Sequence, residues 1–233
     1  MNHISEKKNG IWGYDDILQE MKSANAAIAD HSPEKIFTVG GGCDSDPVSI
    51  AYLNEKYHGN MAVVYLDAHA DLNTPESSTS GLYYGMSLRS VMGDTVPEIR
   101  SLFQSEISPE QLIMGGGRCL DPEEIIYKKE NGISDFSVEA LKADPGLIAK
   151  EILRKKYDKV YIHIDLDVLD PDEFSMVPVP EKDGLSFAAL AKIIKEINTI
   201  AECVGFAILE YDGSCAEEEN YILKQLIQYG LDI

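Results

Sequence analysis

Residues Val63–Pro75 read VVYLDAHADLNTP, an apolar run that passes into Asp67, His69 and Asp71, each two positions from the next. Alternate residues of an extended segment share a face. Two carboxylates and an imidazole would then converge at the end of a buried strand. A second stretch, HIDLDVLDP at His163–Pro171, repeats the spacing with Asp165 and Asp167. Paired carboxylates that are partly buried repel one another unless a cation lies between them. Either motif alone is an ordinary acidic turn. Together, at two strand ends, they offer four carboxylates and an imidazole, enough to bridge two divalent ions. Oxygen-rich ligation with a little nitrogen suits manganese, and two close ions sharing one water-derived nucleophile make a two-metal hydrolase.

These groups need a scaffold, and the chain supplies one. Short β-rich runs are expected at Lys35–Val39, Ala62–Leu66, Gln111–Gly115, Lys159–Ile164 and Cys203–Leu209, with a weaker one near Ile133–Phe136. Between them lie amphipathic segments at Asp15–Ala29, Val48–Tyr57, Gly85–Met92, Glu123–Glu130, Val138–Lys156, Ser186–Ile200 and Glu217–Tyr229. Nearly continuous apolar runs such as VYIHID and VGFAIL fit strands covered on both faces. The alternation predicts a single domain over residues 1–233, an α/β/α sandwich of three layers around a mainly parallel sheet. Ligands of such sheets gather beyond the carboxyl ends of the strands. GGGCDSD, DAHADLNTP, GGRCLDPEE, DLDVLDPDEF and Glu210 all fall there.

Forty acids against 20 bases give a formal charge of −20 over 233 residues. Phosphate backbones and anionic membranes require a basic surface, so neither nucleic acid nor membrane is an expected partner. The same charge favours metal cations and cationic small molecules. The opening MNHISEKKNG lacks the apolar core of a signal peptide, and no run resembles a membrane span. Cys43, Cys119, Cys203 and Cys215 lie far apart with no CxxC pair, which fits reduced thiols in a cytoplasm. The acidic run at Ala216–Asn220 reads as the first turn of a helix. His163 reads as a packed residue inside its strand, and His3, His31 and His58 as surface.

LDAHADLNTP, SGLYYGM, GGGRCLDPEE and IDLDVLDP resemble, in order and spacing, the signature blocks of the ureohydrolase family, which includes arginase, agmatinase and formimidoylglutamase. The likeness runs from about Gly13 onward. It implies a three-layer α/β fold in which two manganese ions activate a water that attacks a guanidine or amidine carbon. It also implies Cys43, Asp67, Asp71 and Asp165 at one ion, and His69, Asp67, Asp165 and Asp167 at the other. Asp67 and Asp165 are then the bridging acids. Glu210 matches the acid that anchors the guanidinium, and Asp71 the group that relays a proton. Asn73 and Ser80 match positions that contact the substrate's amino-acid end. Asp121 and Glu124 match acids that reach its amino group.

The sequence departs from the family pattern at four places. GGDH reads GGGC at Gly40–Cys43, which puts a cysteine at the usual histidine ligand and Gly42 at the preceding acid; Asp44 is the alternative ligand. A thiolate there favours zinc over manganese. SGNxHG reads SGLYYG, with Leu82 at an asparagine that touches substrate and Tyr84 at a proton-shuttling histidine. Val179 stands where arginases place a threonine. The chain also begins without the family's first strand and loop, which predicts an uncovered sheet edge and self-association into a homo-oligomer. The cysteine resembles a branch that includes hydroxyarginine hydrolases. The expected activity is metal-dependent hydrolysis of a linear C–N bond in a cationic guanidino or amidino compound, releasing urea or a related product. The alternative is a catalytically weak relative that binds metal or ligand.

Overall fold

The computed structural model of the chain describes residues 6–213 and 217–232. His3, Cys215 and the side chains of the acidic run at 216–220 lie outside the described residues. A short antiparallel pair, β1 (Lys7–Lys8) and β2 (Ile11–Trp12), leads into α1 (Tyr14–His31). Next come β3 (Ile36–Val39), α2 (Pro47–Lys56), β4 (Met61–Leu66), α3 (Ser87–Val91) and α4 (Pro97–Arg100). The middle of the chain forms β5 (Leu112–Gly115), α5 (Pro122–Glu130), β6 (Ser134–Phe136), α6 (Val138–Ala143) and α7 (Leu147–Lys155). It closes with β7 (Lys159–Asp165), α8 (Phe187–Asn198), β8 (Glu202–Leu209) and α9 (Glu217–Leu231).

Strand β4 shows why these elements stack in three layers. Ala62, Val64 and Leu66 turn to one face and pack with Leu141 of α6, Ile152 of α7 and Ile193 of α8. Met61, Val63 and Tyr65 turn to the other face and meet Ile50 and Leu53 of α2 and Leu88 of α3. All six residues of β4 are therefore buried, and each large aliphatic side chain removed from water contributes roughly 1.5–3 kcal/mol. Helices cover both faces of the sheet, as the uninterrupted apolar runs predict.

Two expected helices differ in detail. The segment expected as one helix over Val138–Lys156 is broken at Asp144–Gly146. Pro145 disfavours helical backbone at Asp144, which is extended (φ −143°, ψ 91°), and the Asp144 carboxylate accepts the Gly146 N–H at 3.0 Å. Hydrophobic periodicity continues across that break and does not report it. The segment expected over Gly85–Met92 starts as a 3-10 turn at Tyr83–Met86 before α3.

The six strands β3 to β8 form one sheet in the order β3-β8-β7-β4-β5-β6, and every neighbouring pair is parallel. From β4 the chain moves outward through β5 to β6, then returns to the opposite side of β4 as β7 and continues to β8. Connections therefore leave β4 and β7 in opposite directions, which opens a crevice at their carboxyl ends. Register sets Leu66 beside Ile164 and Asp165 beside Leu209. Asp67, Asp165 and Glu210 consequently emerge at about one level.

Candidate metal centre

Asp67 and Asp165 fold the chain in the same way. Each Oδ1 accepts the backbone N–H two residues ahead: that of His69 at 2.6 Å and that of Asp167 at 2.7 Å. Such aspartate turns end a strand, so the spacing of two converges through a tight turn and not through an extended segment. Ala68 N–H donates to Asp167 Oδ1 at 3.0 Å and ties the two motifs together. His69 Nδ1 lies 2.8 Å from Asp167 Oδ2 and 3.6 Å from Asp67 Oδ1. Asp67, His69, Asp165 and Asp167 offer one ligand atom each, all within 4.8 Å of one another.

Cys43 enters from the loop after β3. Gly41 has φ +80°, and a Cβ there would lie 2.0 Å from Ser45 Oγ, so the turn demands glycine. Cys43 N–H donates to Glu210 Oε1 at 2.9 Å, and its thiol donates to Asp165 Oδ2 at 3.3 Å. A Cβ on Gly42 would stand 2.9 Å from Glu210 Oε1; the glycine leaves that carboxylate room. Cys43 belongs to two further donor groups, one with Asp165 and Glu210 and one with Asp67 and His163. Asp44 joins none among the described residues, and burial pushes its carboxyl up to about 6.

Asp71 and Glu210 adopt left-handed backbone, with φ +53° and +60°. Non-glycine residues take up that region at a cost, and such strain collects at functional sites. Asp71 joins none of the donor groups. Its Oδ2 accepts the Tyr65 hydroxyl at 2.6 Å, with Ser87 Oγ at 3.4 Å.

The electrostatics describe a site short of positive charge. Burial, then the charges of Asp67 and Asp167, raise Asp165 well above the usual carboxylate range. Burial and Asp67 do the same to Asp71, and burial with Asp165 raises the Cys43 thiol. Burial pulls the His69 imidazolium down, yet its bonds to Asp167 and Asp67 prevail and push it up to about 12. Asp67, which is buried, keeps an Oδ2 with no hydrogen-bond partner among the described residues. An orphaned carboxylate oxygen inside a ring of carboxylates is what a divalent cation would satisfy.

A cavity of about 480 Å³ opens over this cluster. Cys43, His69, Asp71, Asp165, Asp167 and Glu210 line it, together with Asn73, Ser80, Tyr84, Asp121, Glu124 and the Val177–Val179 segment. The recognition candidates are held in different ways. Asn73 donates to Asp121 Oδ2 at 2.8 Å, and Ser80 Oγ accepts the Leu82 N–H at 3.2 Å. Glu124 spends one oxygen on the Leu72 N–H at 2.9 Å and the other on the Asp121 N–H at 2.8 Å, capping α5. His31 and His58 are exposed.

Sequence reasoning missed several residues at the site. Tyr65 and His163 each stand two positions before a turning aspartate, so the strand alternation that marks Asp67 and Asp165 would have marked them too. Arg118 donates to the carbonyls of Asp167, Glu181 and Gly116, strapping the cavity rim to the end of β7. Cys119 lines the cavity and offers its sulfur within 4.8 Å of donor atoms of His69 and Glu181.

Comparison with known proteins gives this geometry a context. The arginase of Staphylococcus aureus (strain COL) is 31% identical over 192 residues, 78% of this chain and 62% of the relative. The chain thus spans about three fifths of the length of the curated relatives it matches. The arginase of Entamoeba histolytica, solved in complex with L-ornithine, superposes with a TM-score of 0.86 at 22% identity, covering 98% of this chain and 81% of that one. Formimidoylglutamase of Bacillus subtilis superposes at 0.71 with 22% identity, covering 94% and 66%. These superpositions speak for the fold. The model of the arginase family matches residues 8–224, and the chain belongs to that family.

Proposed function

We propose that the protein is a metal-dependent hydrolase of a linear C–N bond in a cationic guanidino or amidino compound, releasing urea or a related small product. One observation carries this reading. Three members of the four-residue donor group, His69, Asp165 and Asp167, line a single cavity with the Glu210 carboxylate, and no lysine or arginine is among the described residues lining it. Such a wall binds cations and rejects anions. Two divalent ions, manganese at the oxygen-rich position, would be held by Asp67, His69, Asp165 and Asp167 with Cys43 beside them. When bound, such ions make water nucleophilic at neutral pH and neutralise developing charge.

The chain's own residues do the rest. Glu210 is fixed by the Cys43 amide and raised above the usual carboxylate range by burial; a guanidinium would restore its charge and be oriented by it. Asp71, with Oδ2 held by Tyr65, takes a proton from the attacking water and passes it to the leaving amine. Asn73, Ser80, Asp121 and Glu124 position the far end of the substrate, Glu124 acting through the turn it caps. Metal analysis of the purified protein, followed by a urea-release screen over guanidino compounds, tests the proposal. Two ions and turnover support it; metal-free protein without product defeats it.

One observation favours a second reading, a binding protein with weak turnover. Tyr84 lines the cavity at the position of the family's shuttling histidine, and burial raises its hydroxyl above the ordinary tyrosine range. It keeps its proton at neutral pH. Metal uptake with tight guanidine binding and no product would select that reading.

A further inference from the structure

Behind the Asp67–Asp165 pair lies a donor that the oxygen-rich reading leaves out. His163 sits in β7, two residues before Asp165 on the same face, and is fully buried. Its Nδ1 is 3.0 Å from Asp46 Oδ2, and its ring stacks on Tyr65 with centroids 3.7 Å apart and planes at 12°. With Nδ1 turned to the Asp46 carboxylate, Nε2 is the ring nitrogen left to ligate an ion. Nε2 faces Cys43 Sγ at 3.4 Å. Proteins fix metal-binding histidines in this way, with one nitrogen on a carboxylate and the other on the ion.

The surroundings fit an ion. Cys43, Asp67 and His163 offer ligand atoms all within 4.8 Å of one another. Metal–sulfur and metal–nitrogen bonds of about 2.3 and about 2.0 Å place S and N about 3.5 Å apart across a tetrahedral zinc. The observed 3.4 Å matches that span. Asp67, 1% exposed, belongs to this cluster and has a buried Oδ2 with no hydrogen-bond partner among the described residues. Asp71, by contrast, is engaged by Tyr65 at 2.6 Å and shares no donor group with Cys43.

We propose that His163 is a metal ligand, and that Cys43, His163 and Asp67 bind a thiophilic divalent ion such as zinc, with Asp165 as the fourth donor. This rests on the centre being metal-binding, and it changes the character of one position. The Cys43 side becomes a sulfur–nitrogen site; the His69 group remains for a harder ion. The inner ion then takes its imidazole from β7 in place of the family's histidine in the loop after β3.

Cobalt(II) tests this without reference to activity. Metal-free protein titrated with Co²⁺ should develop a thiolate charge-transfer band in the near ultraviolet and intense visible bands of a tetrahedral ion. His163→Asn, whose amide still reaches Asp46, should lose the visible intensity, bind that ion about tenfold more weakly or worse, and lose one zinc on elemental analysis. Cys43→Ser should lose the charge-transfer band, and His69→Asn should keep it. Asp46→Asn keeps an acceptor for Nδ1 but removes the charge that makes the ring a stronger ligand, and should weaken the same ion about tenfold, a second route should His163→Asn not fold. Unchanged spectra, affinity and zinc content in His163→Asn, or in Asp46→Asn if only that variant folds, overturn the assignment and leave the metal reading standing. Wild-type protein that takes up no Co²⁺ overturns both.

Discussion

The hydroxyl of Tyr65, on the sheet face opposite α6 and α7, donates to Oδ2 of Asp71 over 2.6 Å. A strand residue thereby holds a carboxylate that the chain reaches only after the turn at Asp67. Tyr65→Phe keeps the ring that stacks on His163 and removes only the donor. Turnover should fall about tenfold or more with KM little changed, and stability should drop by about 1 kcal/mol. Steady-state kinetics and a urea melt check both; unchanged turnover would remove Asp71 from the proton path.

Asp165→Asn keeps the shape and the Oδ1 acceptor for the Asp167 amide, and takes one carboxylate out of a crowded set. Metal content should fall below one ion per chain. The metal-free variant should be more stable than metal-free wild type by about 1 kcal/mol, because a buried repulsion has been relieved. Elemental analysis and paired melts in chelator decide it; near-normal metal content would sink the centre as assigned.

Glu210→Gln removes charge where a substrate cation would sit and leaves the Cys43 amide an oxygen to bond. Turnover should fall about 100-fold or more, with metal stoichiometry unchanged. Metal loss in this variant would make Glu210 a ligand instead.

Arg118 ties five carbonyls around the cavity rim, those of Asp167, Glu181 and Lys182 at 2.7, 2.8 and 2.8 Å. Arg118→Ala should cost about 2–3 kcal/mol of stability, since charged donors to buried carbonyls are worth more than neutral ones. KM should rise more than kcat falls, as the Val177–Val179 wall loosens. Equal loss in both parameters would point to an effect on the chemistry itself.

Acid stability has a separate handle far from the centre. Hydrogen bonds from Arg154 hold the Glu151 carboxyl down at about 2, against burial, with Ser134 helping. A carboxyl lowered on folding stabilises above its unfolded value of 4.5 and loses that contribution as pH falls toward 2. Arg154 is largely exposed, so solvent screens the pair and its contribution at neutral pH is small. The stability gap between wild type and Glu151→Gln should shrink from its neutral-pH size toward zero between pH 4.5 and 2. A constant gap across that window would refute the assignment.

The sequence by itself determined the layering and the level at which the chemistry sits. Unbroken apolar strands such as β4 and β7 require cover on both faces, and parallel strands deliver Asp67, Asp165 and Glu210 to the same edge of the sheet. The pairs Asp67–His69 and Asp165–Asp167 follow from two local turns, each encoded within three residues, and the pairing of β4 with β7 joins them into one group. Tertiary structure alone decided what lies behind that group. Sheet order made β4 and β7 neighbours although about a hundred residues separate them, and the parallel register set Tyr65 beside His163. Asp46, from the start of α2, then reached the ring, and Cys43 its other nitrogen. Nothing local marks these pairs, because a buried histidine reads the same in a sequence whether its partners are aliphatic or ligating; only the crossing of the strands says which.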